Sequence, residues 1–139
     1  RIVLCSGKVY YDLEAARTET PKPNVAVVRL EQFYPTPTEA LKKIFASYPN
    51  AKQIIWTQEE PKNMGGWYFM EDRLRDLKPE SATLRYVGRT ASASPATGSY
   101  STHELEQKSI VENSLNIDTE EIAAASEPEV SSRIAPASS

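Results

Sequence analysis

Three short stretches carry side chains that could do chemistry together. Ser6-Gly7-Lys8 stands between an apolar run, Ile2–Cys5, and a segment of helical periodicity. A hydroxyl, an ammonium and the free N–H groups of a helix start could there hold a phosphate or a carboxylate. The stretch is no Walker loop, because the upstream glycine and the following Ser or Thr are missing. The alternative is a tight strand-to-helix turn with a solvated lysine. Arg29 and Glu31 interrupt the end of a second apolar run. Burying an unpaired charge is costly, so the two must pair with each other, face an anionic ligand or lie at a subunit contact. Glu59 and Glu60 look like paired carboxylates. Neighbours on an extended chain point to opposite faces, however, so these two would not flank one substrate atom. One of them is expected to accept hydrogen bonds at a helix terminus or a subunit boundary.

Other reactive residue types lack partners. Cys5 ends an apolar run, where a thiol behaves as a small hydrophobe. His103 is the single histidine, so with one cysteine neither a disulfide framework nor a Cys/His zinc site can be built. It is expected at a surface or an interface. Ser92 and Ser94 have no G-x-S-x-G elbow around them, which argues against a serine hydrolase.

Positioning these groups requires a scaffold, and the sequence spells one out. Short apolar runs recur at Ile2–Cys5, Val25–Leu30, Gln53–Thr57 and Thr83–Val87, each followed by a polar loop and a helical pattern. Strands alternating with helices predict an α/β fold: a mostly parallel sheet of at least four strands with helices on both faces. Helix one, about Val9 to Arg17, sets Val9, Leu13 and Ala16 on one face. Helix two opens with Thr36-Pro37-Thr38-Glu39, a capping box with proline at the first helical position. Helix three carries Trp67, Met70, Leu74 and Leu77 in one stripe. A second capping box, Ser101-Thr102-His103-Glu104, starts a helix that runs to about Leu115. In such a sheet, loops leaving the carboxyl ends of the strands converge on one edge, where ligands bind. Ser6, Lys8 and Arg29 leave two such ends.

Composition bounds the rest. At 139 residues and 40% apolar, one compact domain is expected. Residues 116–139 hold Asp118, Glu120, Glu121, Glu127 and Glu129 against Arg133, a net −4; the whole chain's −3 therefore leaves residues 1–115 at +1. A nucleic-acid binder shows a strong basic excess instead. From Asn116 onward, Ala, Ser, Glu and Pro dominate without an aromatic residue, so 1–115 is read as the domain and 116–139 as a low-complexity, disordered tail. No stretch approaches the roughly 20 apolar residues that span a bilayer, so no membrane partner is expected. The chain starts at Arg1 directly in an apolar run, as a piece of a longer protein would.

Four loop motifs, in this order, resemble those of the 2-oxoglutarate dehydrogenase E1 family: Cys5-Ser6-Gly7-Lys8-Val9-Tyr10-Tyr11-Asp12-Leu13, Val28-Arg29-Leu30-Glu31-Gln32-Phe33-Tyr34-Pro35, Gln58-Glu59-Glu60-Pro61-Lys62-Asn63-Met64-Gly65, and the run from Tyr86 to Ala96. The resemblance covers about residues 1 to 115 and implies a transketolase-like C-terminal domain in a homodimer. It implies an oxidoreductase of the tricarboxylic acid cycle, in which E1 decarboxylates 2-oxoglutarate on thiamine diphosphate with Mg²⁺ and passes the succinyl group to the lipoyl group of E2. Its location would be the bacterial cytoplasm, or the mitochondrial matrix in a eukaryote. The partners implied are the rest of the E1 chain, the dimer mate, lipoyl-bearing E2, and an AMP or acetyl-CoA effector that Ser6, Lys8 and Arg29 would contact. The Gly-Asp-Gly motif that binds metal and diphosphate is missing here, so this segment alone is expected to bind no cofactor and to be inactive. The helix-one sequence Glu14-Ala15-Ala16-Arg17 departs from the family's more charged pattern. The competing expectation is a free-standing α/β module that grips a phosphorylated metabolite or nucleotide at the same three residues. Nothing in the segment separates 2-oxoglutarate from 2-oxoadipate.

Overall fold

The computed structural model describes residues 1–90 and 100–117. Four strands and four helices alternate: β1 (Ile2–Cys5), α1 (Val9–Glu19), β2 (Ala26–Arg29), α2 (Thr38–Ser47), β3 (Gln53–Pro61), α3 (Trp67–Leu77), β4 (Thr83–Arg89) and α4 (Tyr100–Leu115). The strands form one sheet in the order β2-β1-β3-β4, and every pairing is parallel. This is the expected fold class.

Each face of the sheet builds its own apolar layer, because alternate residues of β1 and β3 point to opposite sides. Ile2, Leu4, Ile54 and Trp56 pack with Leu41 and Phe45 of α2 and with Trp67, Met70 and Leu74 of α3. On the other side Val3, Cys5 and Ile55 pack with Val9 and Leu13 of α1 and with Ile110 and Leu115 of α4. Helices therefore cover both faces. Full burial raises the Cys5 thiol to about 12, by desolvation first and then by the nearby Glu31 charge. At neutral pH the group is thus a protonated hydrophobe, not a nucleophile.

Two local expectations need correcting. No side chain caps α2: Pro37 holds the cap position, the Thr36 hydroxyl donates to the Phe33 carbonyl at 2.9 Å, and the Thr38 hydroxyl turns back to the Thr36 carbonyl. Both hydroxyls are used to tie the preceding turn instead. At α4 the helix already begins at Tyr100, so the residues of the second capping box lie inside its first turn. Of the expected tail, 116–139, only Asn116 and Ile117 are described, with Ile117 packed on the second apolar layer; its remainder and the loop holding Ser92 and Ser94 lie outside the described residues.

Helix α4 is secured at its far end by the first residue of the chain. The Arg1 guanidinium donates to the carbonyls of Asn113 at 2.8 Å and Ser114 at 3.0 Å, and its Nε donates to Gln53. A cation there satisfies carbonyls that the last helical turn leaves open. The buried Ser114 hydroxyl, 2.6 Å from that of Thr57, adds a polar tie to β3.

Candidate functional site at the carboxyl edge of the sheet

The chain leaves β1 toward β2 on one side and returns to β3 on the other, so the direction of winding reverses between β1 and β3. Open α/β sheets bind ligands at such a crevice. Gly7 makes the turn there: its φ of 78° lies where an L side chain would be strained. Helix α1 starts directly behind it, with the Tyr10 and Tyr11 N–H groups donating to the carbonyls of Gly7 and Lys8.

The register sets Cys5 opposite Arg29, so β1 and β2 are neighbours at this edge. Lys8 and Arg29 nevertheless face different partners. The Lys8 ammonium lies 3.0 Å from a Glu59 carboxylate oxygen across the β1/β3 crevice, with Lys8 largely exposed and Glu59 largely covered. That hydrogen bond, reinforced by the Glu59 charge, holds Lys8 above the ordinary lysine value. On the β2 side, Arg29 donates from Nε to Glu31 at 2.5 Å and from Nη1 to the Tyr11 hydroxyl at 3.0 Å. Its guanidinium carbon stands 5.3 and 5.1 Å from the Tyr10 and Tyr11 ring centres, within cation–π range. The Arg29 contact holds the Glu31 carboxyl below the usual carboxylate range, with help from the Gly7 N–H at 3.4 Å. Ser6 is half-buried in the turn between them.

A carboxylate thus already sits where an anion would, between the Gly7 amide and Arg29. Of the readings open for Arg29 and Glu31, the internal pair is the arrangement present. Glu59 and Glu60 do point apart: Glu59 turns to Lys8, while a Glu60 oxygen lies within 3.0 Å of where a Cβ on Gly65 would be.

Pattern reasoning missed a second group at this edge. Gln107 of α4 donates to Asp12 at 2.9 Å and to the same Glu59 oxygen at 3.0 Å. Arg89, at the end of β4, donates to Gln107 at 3.2 Å, to Glu106 at 2.8 Å and to the Glu59 carbonyl. Exposed His103 presents Nδ1 at 3.4 Å to the same guanidinium. Gln58 was missed too, although it shares a strand face with Ile54 and Trp56. Its buried carboxamide organises the turn that leads into α3. Among the described residues no group of three or more His, Cys, Asp or Glu could hold a metal ion, and no helix is long and apolar enough to cross a membrane.

Fold and edge together define an open, all-parallel α/β domain whose charged crevice faces outward from the carboxyl ends of its strands. The chain belongs to the 2-oxoglutarate dehydrogenase C-terminal family, which it matches over residues 1–115. It is 46% identical over 117 residues to oxoglutarate dehydrogenase of Buchnera aphidicola, covering 84% of this chain and 13% of that protein. It is 47% identical over 116 residues to the 2-oxoglutarate dehydrogenase E1 component of Haemophilus influenzae, covering 84% of this chain and 12% of that protein. Against the E1 component of Cupriavidus necator the identity is 46% over 112 residues, covering 81% of this chain and 12% of that protein. The chain therefore spans about an eighth of the length of the curated relatives it matches.

Proposed function

We propose that this chain serves as the C-terminal domain of an E1 component that decarboxylates 2-oxoglutarate on thiamine diphosphate and succinylates the lipoyl group of its E2 partner, in the cytoplasm. The observation that carries this is the family match over residues 1–115 together with relatives that bear the E1 name. The described residues offer no donor set for the Mg²⁺ that accompanies thiamine diphosphate, so no step of that chemistry is assigned to them. Their part is to fold the domain, to meet the rest of the E1 chain and the dimer mate, and to hold an effector. Exposed Tyr34 and Tyr68 flank Phe33 and Trp67, and aromatic surface of that kind is suited to an interface. The test of the activity is direct. The intact protein should release CO₂ from 2-oxoglutarate with thiamine diphosphate and Mg²⁺, whereas the 139-residue chain alone should not exceed an inactivated control. An inactive intact protein would overturn the reading.

For the effector, the reading is an anion such as the phosphate of AMP or acetyl-CoA at Ser6, Lys8 and Arg29. It is supported by the parallel register that brings two strand ends side by side and by the preset orientation of Arg29 against the Tyr10 and Tyr11 rings. The anion would displace the Glu31 carboxylate and take over its hydrogen bonds. A guanidinium offers parallel donors to phosphate and an ammonium only a point charge. Arg29→Ala should therefore weaken AMP or acetyl-CoA binding by about tenfold or more, and Lys8→Ala by less. Calorimetric titration of the intact dimer checks this. Unchanged affinity in both variants would leave Ser6-Gly7-Lys8 a structural turn and Arg29 a partner for Glu31 only.

A further inference from the structure

Helix α4 is attached to the domain in two different ways along its length. Its second half is anchored: Ile110 and Leu115 are buried in the apolar layer, the buried Ser114 hydroxyl meets Thr57, and Arg1 holds the last carbonyls. Between residues 102 and 109 no side chain is fully buried. Thr102, His103, Glu104, Leu105, Lys108 and Ser109 are exposed, and Leu105, the one large apolar side chain among them, is 70% exposed. Glu106 and Gln107 are half-buried, and what they meet is polar: Arg89, Asp12 and Glu59, with exposed His103 also facing Arg89. Water can take over these hydrogen bonds on opening at a modest net cost, while withdrawing Ile110 and Leu115 would expose apolar surface. The helix thus has a weakly held half and a firmly held half, joined near Ser109.

We propose that residues 102–109 form a strap that opens and closes over the β1/β3 crevice while residues 110–115 stay docked. Closed, the Gln107 carboxamide fills the crevice, with its nitrogen between two carboxylates and its oxygen on Arg89. Open, Asp12, Glu59 and Arg89 face solvent, and Lys8 keeps Glu59 as its one partner on that side. Strap and crevice share a single carboxylate oxygen, that of Glu59, which accepts from both Lys8 and Gln107. The proposal needs no bound effector.

Amide hydrogen exchange in the intact protein tests it. The amides of residues 104–109 have helical partners one turn back, so they report opening; those of 110–115 serve as the internal reference. Gln107→Leu removes both the donor and the acceptor at the crevice. It should speed exchange across 104–109 by tenfold or more and change 110–115 less than twofold. Glu106→Gln, which keeps the side-chain shape, should do the same to a smaller extent and serves if the first variant folds poorly. The unmodified protein supplies a third arm. Raising the ionic strength from roughly 0.01 M to roughly 1 M shortens the screening length from about 30 Å to about 3 Å. This should speed 104–109 selectively. Equal exchange along the whole of 104–115 under all three conditions, or a rise shared by both halves, would make α4 one rigid unit and overturn the strap.

Discussion

Gln58→Leu will lower the unfolding free energy of the chain by about 4 kcal/mol, a loss large for a single substitution. The side chain is buried, and both ends of its carboxamide are occupied. Its oxygen accepts from the Trp56 indole at 2.8 Å and from the Trp67 backbone N–H at 3.1 Å; its nitrogen donates to the carbonyls of Glu60, Pro61 and Met64 at 3.2, 2.9 and 2.7 Å. The turn from β3 into α3 thus closes around one amide. Leucine matches the bulk and none of the bonding. It would strand two donors and up to three acceptors, each costing about 1–3 kcal/mol where water cannot enter and less where it can. Urea denaturation of the variant and the parent chain measures the difference, with an unchanged slope expected. A loss below about 1 kcal/mol would mean that the turn does not depend on the amide.

Gln58→Glu sharpens the test. The new carboxylate would still accept from both N–H groups but would face three carbonyl oxygens. Burial and that repulsion raise its native pKa above the unfolded value of about 4.3. A group with a raised native pKa contributes fully below the unfolded pKa, and the contribution is lost as pH rises through the native one. This variant should therefore be less stable at pH 8 than at pH 5 relative to the parent.

How much of this was legible in the sequence follows from how far apart the contributing residues lie. The sheet was legible because each strand is a local apolar run, and its parallel order follows from the helices between. The strand ends were not. β3 continues to Pro61 because a register irregularity lets Pro61 pair with Arg89, and nothing in Gln58-Glu59-Glu60-Pro61 itself announces pairing. The Arg29–Glu31 pair spans two residues and could be named in advance. The Lys8–Glu59–Gln107 contacts span 51 and 48 residues and exist only because β3 lies beside β1 and α4 crosses the same face. Helix α4 has no clean apolar stripe, so its inward residues could not be chosen by periodicity; two of them are Glu106 and Gln107. The capping box at Thr36 failed for a different reason. Its hydroxyls had a competing acceptor in the turn itself, which a four-residue pattern does not encode.

Trp56→Ala should be the most damaging substitution in the apolar layer, costing about 3–5 kcal/mol. Trp56 is 1% exposed at the centre of β3, with β1 on one side and β4 on the other. Its ring meets Phe33 edge-on at 5.6 Å between centres and lies against Gly66, where an added Cβ would come within 2.8 Å of it. Removing the indole opens a cavity in the layer shared with α2 and α3, beside Phe33 and Gly66, which neighbouring side chains fill only in part. It also takes the 2.8 Å donor away from Gln58. The two effects can be separated. Trp56→Phe keeps much of the ring and loses the N–H, so it should cost about 1–3 kcal/mol, chiefly by leaving the Gln58 oxygen with the Trp67 N–H alone. Because Trp56 and Gln58 share that bond, the double variant Trp56→Phe with Gln58→Leu should be more stable than the sum of the single losses implies, by about 1 kcal/mol. Strict additivity, measured by the same denaturation, would show that the indole acts through packing alone and that the hydrogen bond to Gln58 contributes nothing to the turn into α3.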